Sequence, residues 1–423
     1  MSNRVVITGL GIVSPNAIGI EDFTSALQAG RSGIKHWPEL ESLKFSCQIG
    51  GIPPVTEAMR DQLLSKAEQR HMNSSGILYG LMAGLEAMEM AGIERTKPQD
   101  DPNWDLGVVF GTGTSGVEKF REAIYKLDDG QVRRLGSTTV AQTMASGISA
   151  FLSGRIGAAN WVTTNSSACA TGTEAVLMGY ERIKSGQAKQ MLCGSCSDHG
   201  PYVWGGFDAM RVTTYKHNES PQKGSRPMSA SASGFVPGSG AGAILLENLD
   251  SALQRGATIY AELVGGEVNS GGQRGGGSMT APNPEAIQRC IRQALNSSGF
   301  NPNEIDLING HLTATIKDPE EIHNWVAALG RQGTEFPWIN SLKGMVGHGL
   351  AASGSMETVA TILQLYHNFL APNLNCEDLH PEIAKLISPE CIPLVSKKVS
   401  LRNAIKASFG FGDVNAVIIF KKF

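Results

Sequence analysis

The chain has 423 residues, 41% of them hydrophobic and 18% charged, with 50 glycines, a formal charge of -3 and a pI near 6.3. That balance describes a globular protein long enough for two domain-sized cores, and it excludes a disordered or fibrous chain. There is no block of Lys or Arg to form a footprint for nucleic acid or an anionic membrane, and no apolar run approaches a membrane span.

In chain order, MSNRVVITGLGIVSP enters a strand directly and does not read as a secretory signal. Short β-branched runs then recur before glycine turns: RVVITGLG (4–11), DLGVVFGTG (105–113), QMLCGSC (190–196), GAGAILLEN (240–248) and AIKASFGFG (404–412). Between them lie helical segments, among them SGILYGLMAGLEAMEMAG (75–92), ATGTEAVLMGYERIKSG (170–186) and GSMETVATILQLYHN (354–368). The alternation predicts an α/β fold with buried strands. A boundary near residue 250 divides the chain into halves 1–250 and 251–423, joined by a structured turn rather than a linker. The stretch 266–284, GEVNSGGQRGGGSMTAPNP, reads as a mobile surface loop.

Two motifs have ordinary readings. GTGTSG (111–116) satisfies GxGxxG, but no second strand ending in an acidic residue follows, so a dinucleotide site is disfavoured. CGSC (193–196) is a lone CxxC and reads as structural thiols rather than a zinc or redox site. Seven cysteines without paired spacing suggest reduced thiols in the cytoplasm.

The strongest signal is TTNSSACATGTEAV (163–176), which places Cys169 at the start of a helix. Helix N–H groups and the positive end of the dipole are expected to stabilise a thiolate there; the competing reading is a buried structural cysteine. LINGHLTATIKDPEE (307–321) adds His311, and INSLKGMVGHGLAASG (339–354) adds Lys343 and His348. One Cys and two His beside small residues form a coherent set, because one imidazole can donate to a thioester oxygen while the other balances charge.

With these four segments in order, the chain resembles the elongating (type I and II) β-ketoacyl carrier-protein synthases of the thiolase fold, from RVVITGLGIVSP to the C-terminus. The resemblance implies a thiolase-like fold of two similar βαβαβαββ halves in a five-layer α/β/α/β/α core. It further implies decarboxylative condensation of a malonyl unit with an acyl group held on Cys169. Under it, His311, His348 and Lys343 are catalytic. Phe409 is the gate whose N–H forms an oxyanion hole with that of Cys169, and Asp318 and Glu321 hold the lysine network. Thr280, Thr313 and Thr315 match contacts to the phosphopantetheine arm, while Thr114 and Phe207 match the lining of the acyl cavity. The basic cluster Lys66, Arg70 and His71, with Arg211, resembles the docking region for acyl carrier protein. A homodimer is expected, and no metal or bound cofactor beyond the carrier's phosphopantetheine.

The chain departs from the family pattern at Leu312, where HGT is common, and at Asp413 and Val414, where GFGGTN is common. These leave open a ketosynthase of a specialised polyene or polyketide pathway, paired with a chain-length factor. A thiolase is disfavoured because no second catalytic cysteine is present. A chain-length-factor subunit is disfavoured because the nucleophile is kept, and a starter-type synthase because His348 stands where Asn is usual.

Overall fold

The computed structural model describes residues 3–423. Ten strands form one hydrogen-bonded path. Those of the first half are β1 (Val5–Ser14), β2 (Leu106–Thr112), β3 (Val162–Thr163), β4 (Gln190–Ser197) and β5 (Gly240–Asn248). Those of the second are β6 (Ala261–Ser270), β7 (Leu307–Asn309), β8 (Trp338–Asn340), β9 (Asn403–Gly410) and β10 (Val414–Lys421).

The spatial order is β8-β7-β9-β10-β6-β1-β5-β4-β2-β3. Each half therefore repeats one topology: three parallel strands, then two antiparallel ones, the innermost being the first of its half in sequence. Among the described residues the two half-sheets pair where Val5, Val6 and Ile7 of β1 meet Leu263, Glu262 and Ala261 of β6. The strand β6 runs on to Ser270, paired with Val414, so 266–270 is sheet and not the loop its glycines suggested.

Helices cover both faces. They are α1 (Ser75–Met90), α2 (Gly147–Ile156), α3 (Thr171–Lys184), α4 (Pro284–Ser298), α5 (Asp318–Leu329) and α6 (Ser353–His367). The helices α1 and α2 pack outside the first half-sheet, α4 and α5 outside the second, and α3 and α6 lie together between the two. This arrangement is a thiolase-like fold. Sheets covered on both faces need largely apolar strands, and β1 is buried along its whole length, its two hydroxyl residues Thr8 and Ser14 being hydrogen-bonded inside. The central position also explains α6, whose Glu357, Thr358, Thr361 and Gln364 are as buried as its aliphatic residues. Each threonine returns its hydroxyl to a carbonyl four residues back, and Gln364 accepts from Asn340.

The two central helices touch at their first turns. A Cβ on Gly172 would lie 2.3 Å from the Ser355 nitrogen, and one on Gly354 would lie 2.6 Å from the Thr173 nitrogen. No side chain fits there. Gly172→Ala and Gly354→Ala should each cost about 1–3 kcal/mol through forced backbone shifts, measured by urea denaturation. Gly154→Ala, in a helix with open space at that position, should be neutral or stabilising by up to about 1 kcal/mol.

Candidate active site

The crossing of α3 and α6 sets the site. Ahead of α3, Ala168 takes φ +50° and turns the chain so that Cys169 stands at the helix entrance. Ahead of α6, His348 ends a segment bridged to the chain at Pro237. Its N–H donates to Val236 O at 2.7 Å, and its carbonyl accepts from Gly238 at 2.8 Å. The third group, His311, follows β7. The Cys169 sulfur and one nitrogen of each imidazole all lie within 4.8 Å of one another.

Tautomer and charge follow from the surroundings. Leu350 N–H donates to His348 Nδ1 at 3.2 Å, with Ser353 Oγ 2.9 Å from the same atom. An imidazole accepting at Nδ1 carries its proton on Nε2, as a donor. The Nδ1 of His311 is buried without a protein partner. Burial, reinforced by the positive charges of Lys343 and Lys406, holds both histidines well below the usual imidazole range, so both are neutral.

The cysteine reverses one expectation. The helix start does not yield a ready thiolate: burial pushes the Cys169 thiol up to about 11, outweighing Lys343 and two backbone N–H groups. Those N–H groups belong to Phe411 and to Cys169 itself, and not to Phe409. Phe409 lies inside β9, paired with Asn415, and its ring packs on His311 and Trp325. Phe411 lies in the turn beyond the strand, where its amide is free to face the sulfur.

Lys343 is fully buried, and its Nζ donates to the His311 carbonyl at 2.5 Å. Its carboxylate partner is Glu357 of α6, which the sequence reading missed. Asp318 and Glu321 do not hold the lysine. Glu321 accepts the N–H groups of His311 and Leu312, both at 2.7 Å, and Asp318 accepts those of Thr313, Ala314 and Met228. They brace a loop in which Leu312 and Ala314 take φ of +24° and +62°. Burial raises Asp318 to about 6 and Glu321 to about 7.

A cavity of ≈ 380 Å³ opens onto the triad, lined by Phe207, Thr280, Thr313 and Thr315 among others. Thr313 and Thr315 hydroxyls stand 3.1 Å apart. Thr114 does not line it; it is exposed on the turn after β2. Lys66, Arg70, His71 and Arg211 are all exposed, and among the described residues none pairs with a carboxylate. Arg211 follows Met210 at the cavity mouth. Cys193 and Cys196 are buried three residues apart on β4, hence on opposite faces, and burial raises both thiols.

The sequence profile of the β-ketoacyl synthase N-terminal domain matches residues 2–252, and that of the C-terminal domain matches 260–377. The chain belongs to the β-ketoacyl synthase family. It is 32% identical to 3-oxoacyl-[acyl-carrier-protein] synthase 1 of Haemophilus influenzae, over 99% of each chain. It is likewise 32% identical, at the same coverage, to synthase 1 of Escherichia coli. A β-ketoacyl synthase from Burkholderia phymatum superposes with a TM-score of 0.89 at 28% identity, over 100% of both chains. The ishigamide ketosynthase/chain length factor does so with a TM-score of 0.86 at 27% identity, also over 100% of both. This is a family of condensing acyltransferases. Among the described residues the synthase has no helix long and apolar enough to cross a membrane.

Asp413, one of the departures, has a visible task in this synthase. Fully buried at φ +63°, its carboxylate accepts from Gln273 N at 2.8 Å and Asn283 N at 2.7 Å, and its carbonyl accepts from Gly271. It ties the glycine loop carrying Thr280 to the turn carrying Phe411. Asp413→Gly suits the backbone but removes the acceptor. Hydrogen exchange at the Gln273 and Asn283 amides should quicken at least tenfold with the rest of the chain unaffected, and unchanged protection would show that the carboxylate does not hold the loop.

Proposed function

We propose that this protein is a 3-oxoacyl-[acyl-carrier-protein] synthase that condenses an acyl group on Cys169 with malonyl carrier protein, releasing CO2. The observation that carries the reading is the convergence of one thiol and two neutral imidazoles within 4.8 Å. The half before residue 250 supplies the nucleophile, and the half after it supplies the histidines and the lysine.

Three steps follow. The Cys169 sulfur attacks the acyl thioester, passing its proton to a neighbouring neutral imidazole, which returns it to the departing pantetheine sulfur so that the carrier leaves as a thiol and the imidazole is neutral again. Malonyl thioester, its arm along Thr313 and Thr315 with Thr280 at the mouth, then loses CO2. The electron pair passes into an enolate whose oxygen receives hydrogen bonds from His311 and His348. The resulting carbanion attacks the acyl carbonyl, whose oxyanion sits between the N–H groups of Cys169 and Phe411, and the sulfur departs as a thiolate that takes up one proton from solvent. Splitting one encounter into transfer and condensation lowers each barrier.

A second reading, a ketosynthase of a polyene or polyketide pathway, is favoured by the likeness to the ishigamide ketosynthase/chain length factor and to a type II polyketide ketosynthase in complex with its carrier protein, the latter at 27% identity and a TM-score of 0.86. In either reading we expect a second subunit, a copy of this chain or a chain-length factor. Phe120, Ile124, Tyr125, Val132 and Val140 stand 43–72% exposed on the segment following Thr114. A subunit over that segment removes them from water.

Cys169→Ala should abolish chain extension while leaving measurable CO2 release from labelled malonyl carrier protein. His311→Ala and His348→Ala should each depress both, roughly 100- to 1000-fold, as expected for loss of one donor aimed at developing charge. Wild-type CO2 release in both histidine variants would refute the reaction.

Arg70→Glu should raise the KM for acyl carrier protein about tenfold or more, consistent with a repulsive charge at an acidic partner's site. It should spare a short acyl-pantetheine; equal loss with both substrates would place docking elsewhere.

A further inference from the structure

The strand β9 carries a second lysine into the site. Lys406 is fully buried, with its Nζ 2.8 Å from Glu357 Oε2 and 3.0 Å from Ser408 Oγ, and it also donates to the Ala407 carbonyl. The contact to Oε2 is an ion pair between two buried groups. The other oxygen of Glu357 takes Lys343. One carboxylate thus stands between two ammonium groups, and Lys343 Nζ reaches past it to the His311 carbonyl.

The carboxylates facing this cluster are few. From α6 comes Glu357, and from α5 come Glu321 and, beside it, Asp318. Glu321 is raised to about 7, so near neutral pH it is only partly ionised. Lys343 stands on the short helix Lys343–Val346, and Cys169 and the two imidazoles face the cluster from the cavity side. A single Lys–Glu pair would present no net charge to the imidazoles. Two protonated lysines on one glutamate present a positive one; burial lowers the pKa of Lys406, and the Glu357 carboxylate opposes that and favours its ammonium form.

We propose that Lys406 is a positioning residue of the condensation site, sharing Glu357 so that Lys343 stays on the His311 carbonyl and the buried charge behind both imidazoles remains positive. This rests on the reaction proposed above. Its value there is twofold. A neutral imidazole beside a buried positive charge resists protonation at mildly acidic pH, and the same charge favours the enolate and oxyanion that form on the cavity side.

The sign follows directly. Burial and the two lysines lower the pKa of His311 and His348. Removing one positive neighbour raises it toward the ordinary value, so the imidazoles take up protons at higher pH.

The test compares wild type, Lys406→Met and Lys406→Arg, with histidine titration followed by NMR and CO2 release from malonyl carrier protein followed against pH. Lys406→Gln, which can still bond Ser408, is read alongside in case the Met variant does not fold. In the neutral variants the two imidazoles should titrate about one pH unit higher. The acidic limb of CO2 release should move up with them, and kcat should fall about tenfold with KM little changed. Lys406→Arg should keep the wild-type limb. Histidine titration unchanged in a folded neutral variant would overturn the proposal, as would a lowered kcat with an unmoved acidic limb. The NMR readout needs no turnover, so it separates this failure from failure of the proposed reaction, which the His311→Ala variant tests.

Discussion

Everything in the site depends on the contact of two backbones, at Gly172 and Gly354, where the central helices begin. Because neither position carries a side chain, the N-terminal turns of α3 and α6 approach more closely than ordinary helices pack. Cys169 and His348, each just ahead of one helix, are thereby brought face to face. The repeated topology of the two half-sheets makes this meeting symmetrical in backbone. The chemistry is not symmetrical: the first half contributes the thiol, and the second contributes both imidazoles and the charges behind them.

Burial is the second constraint, and it decides between competing fields. A helix start and a neighbouring ammonium both favour a thiolate, yet the enclosed sulfur has its pKa raised to about 11. The same enclosure keeps the histidines neutral and lifts Asp318 and Glu321 toward neutrality. The resting site is therefore poor in negative charge, which suits a reaction whose difficult moments each place negative charge on an oxygen. Such a cluster is sensitive to single substitutions, because removing one partner of a buried pair leaves the other uncompensated.

The deep part of the site and its mouth are held by different means. Around Lys343, Glu357 and Lys406 every group is enclosed between sheet and helix. The mouth is formed by exposed segments, with Thr280 on a glycine loop anchored through Asp413 and the His311 loop braced by Asp318 and Glu321. Rigid support below and a restrained loop above suit a site that admits a long arm yet holds the reacting atoms in place.

The amino-acid sequence by itself determined the α/β class and the family, and it singled out Cys169, His311, His348 and Lys343, which the fold gathers in one place. Each is carried by a short contiguous motif whose chemistry is visible without knowing its neighbours. What only the tertiary structure decided was which groups act on them. Glu357 reads in the sequence as one polar residue of an apolar helix, Lys406 as a lysine in a strand, and Asp413 as a turn residue. Their roles arise from contacts with residues as near as Lys343 to Glu357 and as far as Gly271 to Asp413 along the chain. The amide facing the sulfur is that of Phe411 because the ladder ends at Gly410, and the exposure of Thr114 depends on what the chain packs against it. The raised thiol pKa has the same origin: a helix start is legible in sequence, but desolvation is the sum of everything folded around the sulfur, and only the assembled core fixes that sum.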